Sequence, residues 1–217
     1  MYNDLNVFIS RFQRRALLRG RNLALLPLAL LLLQVGCAAT VSDDVVPSGL
    51  PKLSAEECAD FDELLLDPQF ETLGQPGSAW RYRQHAGEQS FTATSENGQL
   101  DFARISDEPW AVVQQKIMDP RLSGRVVLYS AELTGDVSEE VTHAFGAKSG
   151  LFLQLGPRPD ANMADHEPNI GQWDWQRITV EAEVPEIFDY IELGFIYQGG
   201  EGAFSAKAPK LELLDCQ

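Results

Sequence analysis

The chain has 217 residues, enough for one domain and a targeting segment, and 44% of them are hydrophobic, enough to form a packed core. Its net charge is −15, yet the part before Cys37 holds five arginines and one acid, whereas the remainder holds 12 basic and 31 acidic residues. Such an acidic surface repels phosphate backbones, which argues against nucleic-acid binding.

The N-terminal segment has the features of a signal peptide. Five arginines between Arg11 and Arg21 form a basic region, and a leucine-rich run follows over residues 22–35. This run is shorter than the roughly 20 residues that a membrane-spanning helix needs, and its length is typical of the hydrophobic region of a signal peptide. We therefore predict a signal peptide over residues 1–36.

A cysteine follows the hydrophobic run. The stretch Leu33–Ala38 resembles the lipobox of bacterial lipoproteins, although Gln34 stands where that family usually has leucine. The resemblance implies that Cys37 is acylated with fatty acids such as palmitate. It also implies that Ala38, where an aspartate would favour the inner membrane, directs the lipoprotein to the outer membrane, facing the periplasm or the cell surface. The alternative is an ordinary secretory signal that is cut near Ala39.

The next segment links this anchor to a domain. Residues 37–54 are small, polar and turn-forming, with no helical or strand period, which predicts a flexible tether. The domain is then predicted over residues 55–217. Ser54 is a suitable N-cap, so we expect a short helix from Glu56 to Leu66.

Two cysteines remain once Cys37 carries lipid. Cys58 and Cys216 lie at the two ends of the predicted domain. In an oxidising compartment we expect them to form a disulfide, which is easy in a β-sandwich whose first and last strands are neighbours. The alternative is a pair of free buried thiols.

Hydrophobic residues alternate with polar ones in many short segments separated by turn residues, which indicates an antiparallel all-β domain with two packed sheets. A long polar loop is expected over residues 156–172, and Trp173 is placed beside it. Eight or nine strands are predicted in total. The clearest are residues 80–83, 99–105 after an Asn97–Gly98 turn, 111–118, 126–133, 151–155, 178–184, 191–197 and 211–213.

Several short motifs follow one another through the domain. In order they are Asp67–Glu71, Trp80, Val112–Gln115, Gly124–Ala131, Trp175–Arg177 before a strand closed by Val184–Pro185, Gly194–Phe195, the glycines from Gly199 to Gly202, and Leu211 with Leu213. Their order and spacing resemble the CenC-like carbohydrate-binding modules of xylanases and cellulases, over residues 67–214. The resemblance implies a galactose-binding-like jelly roll, an antiparallel β-sandwich that binds a polysaccharide or oligosaccharide without catalysis.

The resemblance also bears on metal binding. The family often holds a calcium ion between an acid near the entry strand, here Glu71, and an aspartate in the last strand. This chain has Lys207 at about the second position, and an ammonium group repels a cation that needs several oxygen ligands. We therefore expect no metal and no other cofactor. Glu71 and Lys207 either pair with each other or are both solvated and unrelated.

Five residues are candidates for contact with sugar, because aromatic faces pack on the C–H patches of a sugar and planar polar groups bind its hydroxyls. The resemblance implicates Trp110, Arg81 or Arg83, and Glu192, and Trp173 is added from its expected place in a loop. For the two tryptophans the alternative is a place in the core, and for the charged residues it is plain solvation. The aromatic residues expected in the core are Trp80, Tyr129 and Trp175.

No catalytic arrangement stands out. His85, His143 and His166 are scattered without metal-ligand spacing, and no nucleophile motif is present. Counting carboxylates does not exclude a glycosidase pair, but nothing singles two of them out. We expect a non-catalytic, monomeric carbohydrate-binding lipoprotein. The alternative is a structural or protein-interaction jelly roll without a sugar site.

Overall fold

The structure is a computed structural model that describes residues 51–140, 146–157, 163–165 and 170–216, all within the compact unit Asp43–Gln217. The predicted signal peptide, Cys37, His143 and His166 lie outside the described residues. The domain boundaries after residues 36 and 54 stay predictions. No helix in the described ranges is long and apolar enough to cross a membrane.

The domain is an antiparallel β-sandwich of the jelly-roll class, as predicted. The front sheet has the strand order β1-β4-β9-β6-β7, and the back sheet has the order β2-β3-β10-β5-β8. The elements are α1 (Ala55–Asp62), β1 (Arg81–Gln84), β2 (Phe91–Glu96), β3 (Gln99–Arg104), β4 (Trp110–Ile117), a 3-10 turn (Pro120–Leu122), β5 (Val126–Val137), β6 (Lys148–Leu155), β7 (Met163–Asp165), β8 (Gly171–Glu183), β9 (Ile191–Gln198) and β10 (Gly202–Leu213).

Aromatic side chains from both sheets fill the space between them. Trp80 is 2% exposed and its ring lies 5.7 Å from that of Phe195, which also contacts the fully buried Tyr129. The core positions expected for Trp80 and Tyr129 are therefore confirmed. The expectation for Trp175 is wrong: its side chain is 41% exposed on the back sheet, because its position in β8 points away from the sandwich.

The two ends of the domain are joined as predicted. Cys58, in α1, forms a disulfide with Cys216, just after β10. Beside it, the backbone N–H of Leu53 donates to the carbonyl of Asp215 (3.0 Å), and Arg125 pairs with the buried carboxylate of Asp215 (2.5 Å). The helix begins after Ser54, which forms a capping box with Glu57. It ends at Asp62, four residues before the predicted end at Leu66.

Several predicted strand bounds need correction. The last strand spans twelve residues rather than three, with an irregularity between Lys207 and Lys210 that interrupts its alternation. The segment expected to be a loop contains β7, and β8 begins at Gly171, so Trp173 lies in a strand. The described residues therefore form ten strands rather than eight or nine.

Of the two alternatives for Glu71 and Lys207, pairing with each other is not the one observed, because Lys207 has other partners. The ammonium of Lys207 lies 3.4 Å from the carboxylate of Glu132 and 4.0 Å above the ring of Trp175. Both partners are on the outer face of the back sheet, Glu132 on β5 next to β10 and Trp175 on β8 beyond it. Among the described residues, no cluster of three or more acidic, histidine or cysteine side chains is placed to hold a metal ion.

Candidate functional site

The face of the front sheet that points away from the sandwich is the candidate site, and we call it the outer front face. Alternate residues of β1, β4, β9 and β6 project from it, because successive side chains of a strand point to opposite sides. Its members are Arg81, Arg83, Trp110, Val112, Gln114, Lys116, Glu192, Gly194, Ile196, Gln198, Lys148, Gly150, Phe152 and Gln154.

The centre of the outer front face is apolar. Val112, Phe152 and Ile196 are 5%, 3% and 8% exposed and form a cluster separate from the main core, with Trp110 packed against it half-buried. Polar residues usually occupy the outward positions of an antiparallel sheet whose other face covers the core. The three side chains are nevertheless almost completely covered, so the accessible aromatic surface of the face is that of the half-buried Trp110 at its edge.

A buried amide lies beside this cluster. Gln114 is 7% exposed, and its side-chain oxygen has no hydrogen-bond partner within the described part of the chain. Its neighbour on β9 is Gly194, and the next residue across the sheet is Phe152, so no side chain separates the amide from the aromatic ring. An unsatisfied buried acceptor is costly to the fold, and a ligand hydroxyl could satisfy it.

The strand that carries the two arginines is held from within the sandwich. Trp80 precedes β1, and its indole N–H donates to the carbonyl of Asp67 (2.8 Å). Between the arginines, Tyr82 points inward, packs edge-on against Phe102, and donates from its hydroxyl to Gln84 (2.7 Å). Burial raises the pKa of Tyr82, so this hydroxyl stays neutral and keeps its proton for that bond.

Asp67 closes the loop that leads to β1. Its carboxylate accepts hydrogen bonds from the backbone N–H of Glu71 (2.8 Å) and from both the N–H (2.9 Å) and the hydroxyl of Thr72 (2.6 Å). Burial alone would raise the pKa of Asp67, but these bonds outweigh it, and the pKa lies below its usual value. The ionised carboxylate therefore stabilises the loop that positions β1.

Trp110 is fixed at the edge of the face by the loop before it. The carboxylate of Glu108 accepts the backbone N–H of Ala86 (3.0 Å) and lies 2.9 Å from Nδ1 of His85, whose ring packs edge-on against Trp110. The guanidinium of Arg83 lies 5.7 Å from the centre of the Trp110 ring. The indole therefore contacts the ring of His85 and the guanidinium of Arg83, and it also packs against the apolar cluster.

Four of the five predicted site residues lie on the outer front face. Arg83 and Trp110 contact each other at one end, Arg81 lies two residues from Arg83 on β1, and Glu192 is beside Lys116. Trp110 and Lys116 are six residues apart on β4, which corresponds to roughly 20 Å. Glu192 and Trp110 therefore lie too far apart to contact the same sugar ring, but both can contact one extended chain.

Trp173 lies elsewhere. It belongs to β8 of the back sheet, where its half-buried indole packs against the main core. Its carbonyl accepts a hydrogen bond from the hydroxyl of Thr134 (2.9 Å). The expectation that it lies in a loop is wrong, because β8 pairs with β5 back to Gly171. An irregularity in that pairing between Leu133 and Gly135 turns Trp173 to the core side, so it is not part of the outer front face.

Several outward residues of the face were not predicted as site residues, among them Gln114, Phe152, Gln154 and Gln198. A signal for them does exist. Strands β4 and β6 contain consecutive apolar residues, Ala111–Val113 and Leu151–Leu153, and such runs are typical of strands buried on both faces.

No protein family and no curated protein matches the sequence. Among solved structures, the carbohydrate-binding module TmCBM61 in complex with β-1,4-galactotriose has 15% identity and a TM-score of 0.47, over 69% of this chain and 97% of that one. A CBM22 xylan-binding domain from Paenibacillus barcinonensis has 10% identity and a TM-score of 0.43, over 65% and 89%. The enzymatic domain of bacteriophage CBA120 tailspike protein 4 has 14% identity and a TM-score of 0.45, over 63% of this chain but only 20% of the tailspike chain. These similarities are too distant to indicate a ligand.

Proposed function

We propose that the domain is a non-catalytic carbohydrate-binding module whose ligand lies along the outer front face. The observation that carries the proposal is the apolar cluster edged by Trp110 next to the buried, unsatisfied amide of Gln114. Sugars have both apolar C–H patches and hydroxyl groups, so an aromatic surface beside planar amides complements them.

The dimensions of the face favour a chain of sugars over a single ring. The distance of roughly 20 Å from Trp110 to Lys116 is longer than one sugar unit. Polar side chains that can bind hydroxyl groups accompany the apolar centre along this length, on three neighbouring strands. The described outward amides and the carboxylate are Gln114, Gln154, Gln198 and Glu192.

A glycan array followed by affinity electrophoresis tests the proposal. The full-length protein, purified in detergent, should be retarded by at least one soluble polysaccharide, and Trp110→Ala should abolish the retardation. The matched control is Trp175→Ala, because Trp175 is exposed on the opposite sheet. Trp110→Ala should also keep the melting temperature within a few degrees of wild type, because Trp110 lies outside the main core.

Two outcomes would contradict the proposal. Retardation of the wild type by no glycan would favour the alternative, a jelly roll that acts in protein interaction. A loss of about 3–5 kcal/mol of stability in Trp110→Ala would mean that the indole is part of the core.

We also propose that Cys37 is acylated and anchors the domain to the outer membrane. The lipobox-like sequence before Cys37 supports this, and so does the Cys58–Cys216 disulfide, because such bonds are typical of exported proteins. Labelled palmitate should be incorporated into the wild type and not into Cys37→Ser. Equal labelling of both proteins would contradict the anchor.

A further inference from the structure

Arg81 and Arg83 are both exposed and neither donates a hydrogen bond or forms an ion pair within the described part of the chain. The other described arginines are all engaged. Arg104 donates to the carbonyl of Ser106 (2.7 Å), Arg121 to Asp119, Arg125 to Asp215, and Arg177 to the hydroxyl of Ser130 (2.7 Å). The two arginines of β1 are therefore exceptional in a domain rich in carboxylates.

The part of the outer front face around β1 is basic. Arg81, Arg83 and Lys116 are exposed basic side chains of the face, whereas its acidic positions are farther from β1, with Glu192 on β9 and Asp165 opposite Phe152 on β7. The chain from Cys37 onward has 12 basic and 31 acidic residues. Because charges farther apart than about 8 Å are screened at physiological salt, the acids on other surfaces do not cancel this local positive charge.

Arg83 is also held in place. Its guanidinium lies beside the ring of Trp110, and the inward packing of Tyr82 fixes the direction in which its neighbours point. A guanidinium fixed by stacking loses less freedom when it binds, and its planar fork matches a carboxylate or sulfate in two parallel hydrogen bonds. Arg81 projects from the same face roughly 7 Å away along the strand.

We propose that the ligand of the outer front face is an anionic polysaccharide. This rests on the proposed function: Trp110 packs on a sugar ring, and Arg83 and Arg81 bind the carboxylate or sulfate groups of that ring and the next. Lys116, whose ammonium lies 3.4 Å above the ring of Tyr190, adds positive charge at the far end of the face.

Affinity electrophoresis on matched polymers tests this proposal. The full-length protein in detergent is run with polygalacturonate and its fully methyl-esterified form, which removes the charge, and with dextran sulfate and plain dextran. Neutral xylan and a neutral β-glucan complete the set. We expect retardation by polygalacturonate or dextran sulfate, which identifies the anionic group, and none by the uncharged counterpart of the polymer that binds.

The arginine variants link this binding to the site. Arg81→Gln and Arg83→Gln should each weaken binding about 10-fold or more, as expected for the loss of a charge-assisted hydrogen bond. Arg83→Lys, which keeps the charge without the fork, should weaken it as well. Arg177→Gln on the back sheet is the matched control and should bind like the wild type, and added salt should reduce the retardation of the wild type.

The possible failures are distinct. Equal binding to the esterified and free polymers, or binding to neutral glycans alone, would overturn the anionic ligand and leave the proposed function intact. An equal effect of Arg177→Gln and Arg83→Gln would reduce the binding to non-specific charge attraction and overturn the site. Binding to none of the six polymers would overturn the anionic ligand, and only the absence of binding across the whole glycan array would also contradict the carbohydrate-binding function.

Discussion

Two neighbouring glutamines show how the side of a strand decides the role of a residue. Gln115 points into the sandwich, where its oxygen accepts the backbone N–H of Leu66 (3.1 Å) and its amide donates to the carbonyl of the same residue. Gln114 points to the outer front face, and its oxygen has no partner within the described residues. The Gln115 amide stabilises the fold, and we propose that the Gln114 amide binds the ligand.

Replacing each glutamine by methionine separates these roles. Gln114→Met should raise the free energy of unfolding by about 1 kcal/mol, because it removes an unsatisfied buried acceptor, and should abolish glycan retardation. Gln115→Met should lower that free energy by about 1–3 kcal/mol, because two backbone groups of Leu66 lose their partners. Thermal melting with affinity electrophoresis measures both effects. Destabilisation by Gln114→Met with normal binding would contradict the assigned role.

At the scale of the strands, Gly194 permits the close contact between β4 and β9. A Cβ atom at this position would overlap the carbonyl oxygen of Val113 on the neighbouring strand. Gly194→Ala should therefore destabilise the domain by about 3 kcal/mol, as overpacking against rigid backbone does. Gly199→Ala is the control, because its nearest atoms would be 3.6 Å away. Equal melting temperatures of Gly194→Ala and Gly199→Ala would contradict the predicted overlap at Gly194.

The strands with long apolar alternation were predictable, and those without it were not. β9 buries four alternate residues and was predicted nearly to its ends. β2 is rich in threonine and serine, and only Phe91 in it is fully buried, so its pattern is weak. In β10 small residues and the irregularity after Lys207 conceal the period, and only its last three residues were predicted.

The candidate site could be predicted only in part, because the order of the strands in the sheet is not contained in the alternation pattern. Alternation indicates which residues of one strand share a face, as it does for Glu192, Gly194 and Ile196. It does not indicate which strands are neighbours. Gln114 and Phe152 flank Gly194 only because β4 and β6, distant along the chain, both pair with β9. The amide–aromatic pair therefore becomes visible only with the strand order.

At the scale of the whole domain, the disulfide joins α1 to the residues just after the last strand. It closes a loop of 158 residues, and loop-closure entropy predicts a contribution of about 5 kcal/mol to stability. Cys58→Ser should lower the melting temperature of the domain markedly, whereas Cys37→Ser should leave it unchanged. Non-reducing peptide mapping should recover one linked peptide. Two alkylatable thiols in the exported native protein would contradict the bond.

The central claim is that glycans bind on the outer front face, and side-chain NMR signals report on it directly. The isotopically labelled chain from Ala38 onward is titrated with the polysaccharide fragment that binds most strongly in electrophoresis. The indole N–H of Trp110 and the side-chain amide of Gln114 should shift, whereas the amide of Gln115 and the indole of Trp175 should not. Shifts at Trp175 with none at Trp110 and Gln114 would contradict the account.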